Sequence, residues 1–465
     1  MEARMMVVEL RRNRLSMLFA HTPRTRGSIC LLFLAVLAAP VLARDPDGLL
    51  TLTDNGGWCW FQDERVLLDG DRLLVGSVAI GADPERRGDI DVIAHDLATG
   101  RTTRFELHDR LQTDDHAVPA LLVRPDGRYL AVYSKHGNDR LMRWRISASP
   151  GDASRWQGEQ TLDLGAGVTY SNVFRLAAEN GRLYNFHRGI GWNPNYAISD
   201  DDGATWRYGG RLLQGKGRPY VKYASNNTDT IHFIATEQHP RDFDNSICHG
   251  FVKGGKVRRS DGTPAGDLSR TSTSAVAPEA LTRVFRGDAA NVAWTTDIHL
   301  DREGRPYIAF SVQKNQNDRD HRYYYGRWDG AQWRVHEMAF AGSRLYHPEN
   351  DYTGLVALDP SDPNLVYISA DVDPATGEPL VSRADGRRHF EIFKGVTADG
   401  GAHWSWTAIT ADSTADNIRP IVPMGDGRRT ALLWLRGAYR AYTNYDLKVV
   451  GVVLPAGQPS PPSLR

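Results

Sequence analysis

The sequence predicts an all-β chain folded as a seven-bladed β-propeller, and three observations carry that prediction. From Leu49 to Val453, short runs of strand character alternate with turn signals: Asp69-Gly70, Pro125-Asp126-Gly127, Asn180-Gly181, Glu303-Gly304, Asp329-Gly330, Asp385-Gly386 and Asp426-Gly427. No stretch beyond about ten residues keeps a helical apolar stripe, which leaves sandwich, barrel or propeller. The second observation is a repeat. Ser199-Asp200-Asp201-Asp202-Gly203-Ala204-Thr205-Trp206 fits S-x-D-x-G-x-T-W, and Thr397–Trp404 is a weaker copy. In such a box the Asp and hydroxyl satisfy backbone groups of a tight hairpin while the Trp packs between blades. The third is arithmetic: about 410 residues, divided into units of about 50–60, give seven, with six or eight blades also open. The inner strands of a propeller line one channel, so polar residues at their ends converge from distant parts of the chain.

Residues 1–43 read as a signal peptide. Arg24 and Arg26 precede the apolar run Ile29–Ala39, and Val41-Leu42-Ala43 offers a small-residue cleavage site. The run is too short for a comfortable membrane span, and Cys30 lacks the small residues that precede a lipid anchor. The long leading region fits a start at Met17. The propeller then occupies 44–454, and the Pro/Ser-rich tail 455–465 is expected to be disordered. The expected location is periplasmic or secreted, and the expected state a monomer.

Beyond residue 43 the chain holds 50 basic and 54 acidic groups, net −4. That balance excludes the footprint of a nucleic-acid binder and of a polybasic membrane surface. Cys59 and Cys248 are the two cysteines of that region, too few for a disulfide framework.

Two hairpins concentrate the chemistry. The first runs from Asp114-Asp115-His116 through Pro125-Asp126-Gly127 to Lys135-His136. A three-residue loop there opposes Arg124 to Arg128 and, counting outward, His116 to His136. The second runs from Thr169-Tyr170-Ser171-Asn172 through Glu179-Asn180-Gly181 to Phe186-His187-Arg188. The same count sets Arg188 opposite Asn172, with Tyr170 on the face of Asn172 and His187 on the other. Four proton-handling or anion-binding side chains at two open ends are costly to bury without partners, and so point to a site.

Other candidates are weaker. Tyr220 and Lys222 share one strand face and Tyr223 the other, so at most one set faces a cleft. Arg241 and Arg419 are further anion-binding candidates. His232, His239, Cys248 and His249 invite a structural metal, although their spacing does not match the common zinc ligand sets. His347, Glu349 and Asp351 form another polar group without an assigned role. Segments 256–270 and 313–322 read as polar insertions on blade rims.

Read together, Asn55–Asp63 (NGGWCWFQD), the two hairpins, His239-Pro240-Arg241-Asp242 with Asn245-Ser246-Ile247, Glu349–Gly354 (ENDYTG) and Asn417-Ile418-Arg419-Pro420 resemble the BNR-repeat polysaccharide lyases. That group includes the ulvan lyases of polysaccharide lyase families 24 and 25, and the similarity spans nearly the whole chain after residue 43. The resemblance implies β-elimination beside a uronate with no metal at the reacting carbon, and an acidic polysaccharide, ulvan first, as substrate. It implies His116 and His136 for a histidine pair, Tyr170 for a catalytic tyrosine and Arg188 for the arginine, with Tyr184 the alternative tyrosine. By the same analogy Tyr223, rather than Tyr220, faces the substrate with His136, Arg241 and Arg419. No cofactor is expected for catalysis, and a structural metal is compatible with it.

These residue types suit the chemistry on their own terms. Removal of H5 from a uronate needs its carboxylate charge neutralised, which an Arg fork does bidentately. A neutral His116 or a Tyr170 phenolate can take the proton, and a Tyr hydroxyl can protonate the leaving O4. The rival readings are a rhamnose–glucuronate exo-lyase or rhamnosidase on arabinogalactan-type chains, and a sugar-binding propeller without catalysis. A glycoside hydrolase wants two carboxylic acids facing the cleft, and Asp114 and Asp115 are the acids beside the histidines. A sialidase, which the S-x-D-x-G-x-T-W box would also allow, needs an arginine triad and a Tyr–Glu pair in text that does not match.

Overall fold

Seven antiparallel sheets follow one another along the chain in the computed structural model, which describes residues 48–268, 275–425 and 429–455. Their first strands are Val66–Asp69, Ala120–Val123, Thr169–Leu176, Val221–Ser225, Asn291–Leu300, Val356–Leu358 and Asp416–Ile421. These strands contact one another from sheet to sheet around a central channel, and each sheet builds outward by hairpins. The result is the expected seven-bladed propeller, with only short 3-10 turns and no α-helix among the described residues. The ring closes on a shared blade: Leu50–Thr53 pairs with Asn444–Pro455 and forms the outer strand of blade 7. The expected signal segment 1–43 and the tail from 456 lie outside the described residues.

Local chemistry accounts for the hairpins. In the first box Ser199 Oγ accepts from Gly203 N at 2.8 Å, and Asp201 accepts from Thr205 N at 2.9 Å and from Thr205 Oγ1 at 2.6 Å. Gly203 has φ +89, and a Cβ there would lie 2.9 Å from Leu130 of blade 2. Trp206 is buried with Leu130 and Val132 of blade 2 and Val173 and Leu183 of blade 3. The second box repeats the geometry. Gly401 N donates to Thr397 Oγ1 at 3.0 Å, His403 N to Asp399 at 2.9 Å, and the His403 ring stands where the first box has Thr205.

Three expectations change. Residues 256–267 form an added hairpin, Lys256–Arg259 with Pro264–Asp267, that widens blade 4 to six strands. Of 313–322, the ends belong to strands Pro306–Lys314 and His321–Trp328, and His321 is buried between the carbonyls of Gly342 and Asn350. The second hairpin has a different register. Its turn is five residues long, with a 3-10 turn at Ala177–Glu179 and Asn180 at φ 55, so Leu176 faces Arg182. Asn172 therefore pairs with Phe186, and Arg188 pairs with Thr169 across a bulge.

Candidate active site

A segment of the chain crosses the channel and makes the floor of the site. Between the outer strand of blade 7 and the first strand of blade 1, residues 55–65 reach six of the seven blades. Gly57 pairs with Val78, Cys59 N donates to Asp115 O, Asp63 N to Ser171 O and Trp60 Nε1 to Thr295 O. Lys222 Nζ donates to Trp60 O at 2.8 Å and to Asp63 Oδ2 at 2.6 Å, and Arg419 donates to Trp58 O. Gly57 is required by packing, since a Cβ there would stand 2.8 Å from the Tyr445 ring. Trp60 packs edge-on against Trp294 and Tyr352, while Phe61 packs on Tyr170 and Tyr220.

His116 and His136 meet, though not by simple strand pairing. The predicted register holds from Ala120–Val132 to Arg124–Arg128, but the chain before Ala120 turns into a 3-10 turn, Asp115–Ala117. Asp114 caps that turn. Its Oδ1 accepts from His116 N at 3.0 Å and faces His116 Nδ1 at 2.7 Å, while its Oδ2 faces His136 Nδ1 at 2.8 Å. The two rings stack with centroids 4.0 Å apart, and Tyr442 stands edge-on to both. With each Nδ1 on the carboxylate, each Nε2 is the nitrogen left for chemistry.

The charges on the pair differ. Two stacked imidazoles cannot both be protonated, and His116 has a second carboxylate, Asp115 Oδ1, at 2.9 Å. Burial works against a charge on His116, but the Cys59 sulfur and the Asp114 carboxylate hold its pKa well above the ordinary value. Burial and then the charge of His116 lower His136 to about 4. Both directions favour the proton on His116 and the neutral form on His136, the reverse of the expectation that His116 is the neutral ring.

Tyr170 occupies the bulge, with φ 70, a backbone region that non-glycine residues seldom adopt. The strand alternation that would have set its face is broken there. Its ring lies 5.6 Å from that of His116, and its hydroxyl is buried without a hydrogen-bond partner. Burial drives its pKa well above the ordinary value, with Arg188 pulling the other way. Tyr184 is remote from this group: its hydroxyl donates to Glu179 at the turn and its ring stacks on Phe186.

Arg188 is 5 % exposed, and no carboxylate pairs with it among the described residues. Nη1 donates to Tyr220 OH at 3.1 Å and Nη2 to Thr169 Oγ1 at 3.5 Å, while Nε has no partner. Three rings surround the guanidinium: Tyr170 at 4.9 Å, Trp192 at 5.2 Å and Tyr220 at 5.5 Å. A buried cation without a counter-ion is expensive, and such a group is built to receive an anion.

The remaining candidates separate. Arg419 is even more buried than Arg188 but has a counter-ion: its terminal nitrogens donate to Asp115 Oδ2 at 2.5 Å and to Tyr439 OH at 2.6 Å, while its Nε, like that of Arg188, has no partner. It braces the floor beneath the histidines and is not free for substrate. Tyr223 packs on Phe186 and Phe174 between blades 3 and 4, so the strand presents its other face, Tyr220 and Lys222, to the channel. Arg241 stands at the rim, paired with Glu349 at 2.7 Å. His239 was a metal candidate by sequence but belongs to the site, 5.4 Å from Tyr220 and 5.1 Å from Trp294. Tyr442 gave no signal beyond its place in the hairpin between the last two strands.

The metal candidates do not assemble. His232 and His249 hydrogen-bond each other at 3.1 Å, and His249 Nδ1 meets Ser260. Cys59 and Cys248 are both free and buried. Among the described residues, the donor groups within 4.8 Å of one another are Cys59–Asp115–His116 and Asp114–His116–His136. Asp115 and Asp114 are already taken by Arg419, Tyr439 and the two imidazoles, so a cation there would compete with a guanidinium.

Residues 84–341 match the family described as BNR repeat-containing family member. No curated protein matches the sequence. The fold is similar to that of a PL25 ulvan lyase solved bound to -[GlcA(1-4)Rha3S]-, with a TM-score of 0.63 and 16 % identity, covering 86 % of this chain and 94 % of that one. It is also similar to the polysaccharide lyase Uly1, with a TM-score of 0.56 and 10 % identity, covering 85 % and 90 %. Identities this low show the fold alone.

Proposed function

Since the chain belongs to the BNR repeat-containing family and folds as a seven-bladed propeller, we propose that it is an exported polysaccharide lyase. It splits a 4-linked uronate bond by β-elimination. Ulvan-type chains are the proposed substrate, supported by the fold likeness to the PL25 ulvan lyase.

One observation carries the reading: Arg188, buried, without a carboxylate partner and ringed by aromatics, beside a neutral imidazole. In the proposed reaction Arg188 holds the uronate carboxylate and stabilises the charge that develops at C5. The neutral His136 takes H5, the C5 electron pair forms the C4=C5 double bond, and the C4–O4 bond breaks. The Tyr170 phenol, kept protonated by burial, gives its proton to O4. His116 stays charged on Asp114 and Asp115 and adds positive potential near the carboxylate. No cofactor is needed for these steps, because Arg188 does the work a metal would do at the carboxylate.

The rival is a hydrolase on the same scaffold, and Asp351 favours it. Burial, with Glu349 next, pushes its carboxyl up to about 7, in the range of a general acid. Asp114 and Asp115, the acids beside the histidines, are both engaged. Exposure to ulvan, gum arabic and heparan-type chains with absorbance followed near 235 nm decides between them. Elimination makes a conjugated unsaturated uronate and raises the absorbance; new reducing ends without that rise would mean hydrolysis.

A further inference from the structure

The connection after Arg188 carries a tryptophan that packs in no core. Trp192 is 56 % exposed and has φ 64, directly after Gly191 at φ 71. A bulky side chain seldom adopts that backbone conformation, and it persists where the surroundings fix it. Here they do. Trp192 N donates to Gly189 O at 2.9 Å and Gly189 N to Asn193 O at 3.0 Å. The Asn193 amide donates to Gly191 O at 2.9 Å, and its Oδ1 accepts from Gly215 N at 2.8 Å. The loop thus holds an indole in solvent by a network of its own.

The position of the ring is specific. The Arg188 guanidinium carbon lies 5.2 Å from its centroid. Its Cη2 comes within 3.9 Å of where a Cβ on Gly137 would stand, beside His136. The indole therefore spans the site mouth from Arg188 to the turn that follows His136, with more than half of its surface open.

We infer that Trp192 is a stacking platform for the non-uronate pyranose adjoining the uronate held by Arg188, and so sets substrate specificity. The identity of that neighbouring sugar rests on the lyase reading. An aromatic face carries partial negative charge and attracts the weakly positive C–H groups of a sugar ring. The same face repels a carboxylate. With Arg188 as the anion receptor next to it, the platform takes the sugar without a carboxylate in an alternating acidic polymer.

The test compares wild type, Trp192→Ala and Trp192→Phe on ulvan, with melting temperature as folding control. It adds titration calorimetry of ulvan-derived oligosaccharides against His136→Ala and His136→Ala/Trp192→Ala. The expected result for Trp192→Ala is a KM raised about tenfold with kcat changed less than about twofold and an unaltered melting temperature. Trp192→Phe recovers most of the loss, and the calorimetric affinity falls in the same proportion as KM rises. Unchanged KM and affinity in Trp192→Ala would overturn the platform and leave the lyase reading standing on its 235 nm product. A fall in kcat alone would also overturn it, because the indole would then be arranging Arg188. If wild type made no unsaturated product but binding still depended on Trp192, the lyase reading would fail and the platform would hold.

Discussion

His116 and His136 stack at 4.0 Å on the two oxygens of one carboxylate, that of Asp114. The arrangement fixes both rings in the same tautomer and makes the pair a one-proton device. Which ring is neutral decides the pH behaviour.

If His136 is the base, activity needs it unprotonated, and its pKa is lowered to about 4. The sign is direct: protonation on falling pH removes the base. The acid limb of kcat/KM is therefore expected to bend near pH 4 and not near the ordinary histidine value of about 6.5. A limb above 6.5 would assign the base to His116 instead, whose pKa is raised.

Asp114→Asn tests the clamp. The carboxylate lifts the pKa of both rings, so its loss shifts the acid limb to lower pH. One charge-assisted bond is worth about 1.5–3 kcal/mol, and kcat/KM should fall by about tenfold or more. Initial rates of unsaturated product across pH 3–8 would show both effects, and a limb that moved upward would contradict the arrangement.

The floor makes a stability prediction. Lys222 is 1 % exposed and ties Blade 4 to the crossing segment through Trp60 O and Asp63. Lys222→Met removes one partner of a buried ion pair, a change that costs about 3–5 kcal/mol. Arg65 remains on Asp63, which favours the lower end. Thermal unfolding should shift down by several degrees, and an unchanged melting temperature would mean that the segment is held by its aromatic packing alone.

Activity is expected to survive chelators, because the carboxylate is assigned to Arg188. Turnover measured after EDTA treatment, with circular dichroism as folding control, checks this. Loss of turnover restored by metal, with the fold intact, would transfer the carboxylate to a cation.

The blade count and the box geometry were legible in the sequence because both follow from local turn chemistry repeated at a regular spacing. The first hairpin was legible for the same reason, its three-residue loop having one dominant form. The second was not. Nothing in Glu179-Asn180-Gly181 announces that Ala177–Glu179 adds a 3-10 turn, and two extra loop residues shift every pairing. The crossing segment has no periodicity of 2 or 3.6, so Asn55–Asp63 entered only through the family resemblance, with no place in the fold. Sequence also cannot tell a paired arginine from an unpaired one. Arg188 and Arg419 are both buried, and only the fold puts Asp115 on one and leaves the other without a carboxylate.

That difference sets the last prediction. Arg188→Lys keeps the charge but loses the bidentate fork, and with it two charge-assisted bonds to the substrate carboxylate. At about 1.5–3 kcal/mol each, the loss in kcat/KM is on the order of a hundredfold or more. Tyr170→Phe removes the proton donor to O4 and should be at least as damaging, with little change in melting temperature because its hydroxyl has no partner to lose. His187→Ala is the contrast. Its ring is buried beside Arg188 in sequence but turned to the other face, with Nδ1 on Asn185 O, so it should lower stability and spare the rate. The measurement is the initial rate near 235 nm for the three variants beside their melting temperatures. If Arg188→Lys and Tyr170→Phe both kept near wild-type rates, the chemistry would have to lie elsewhere on the channel face.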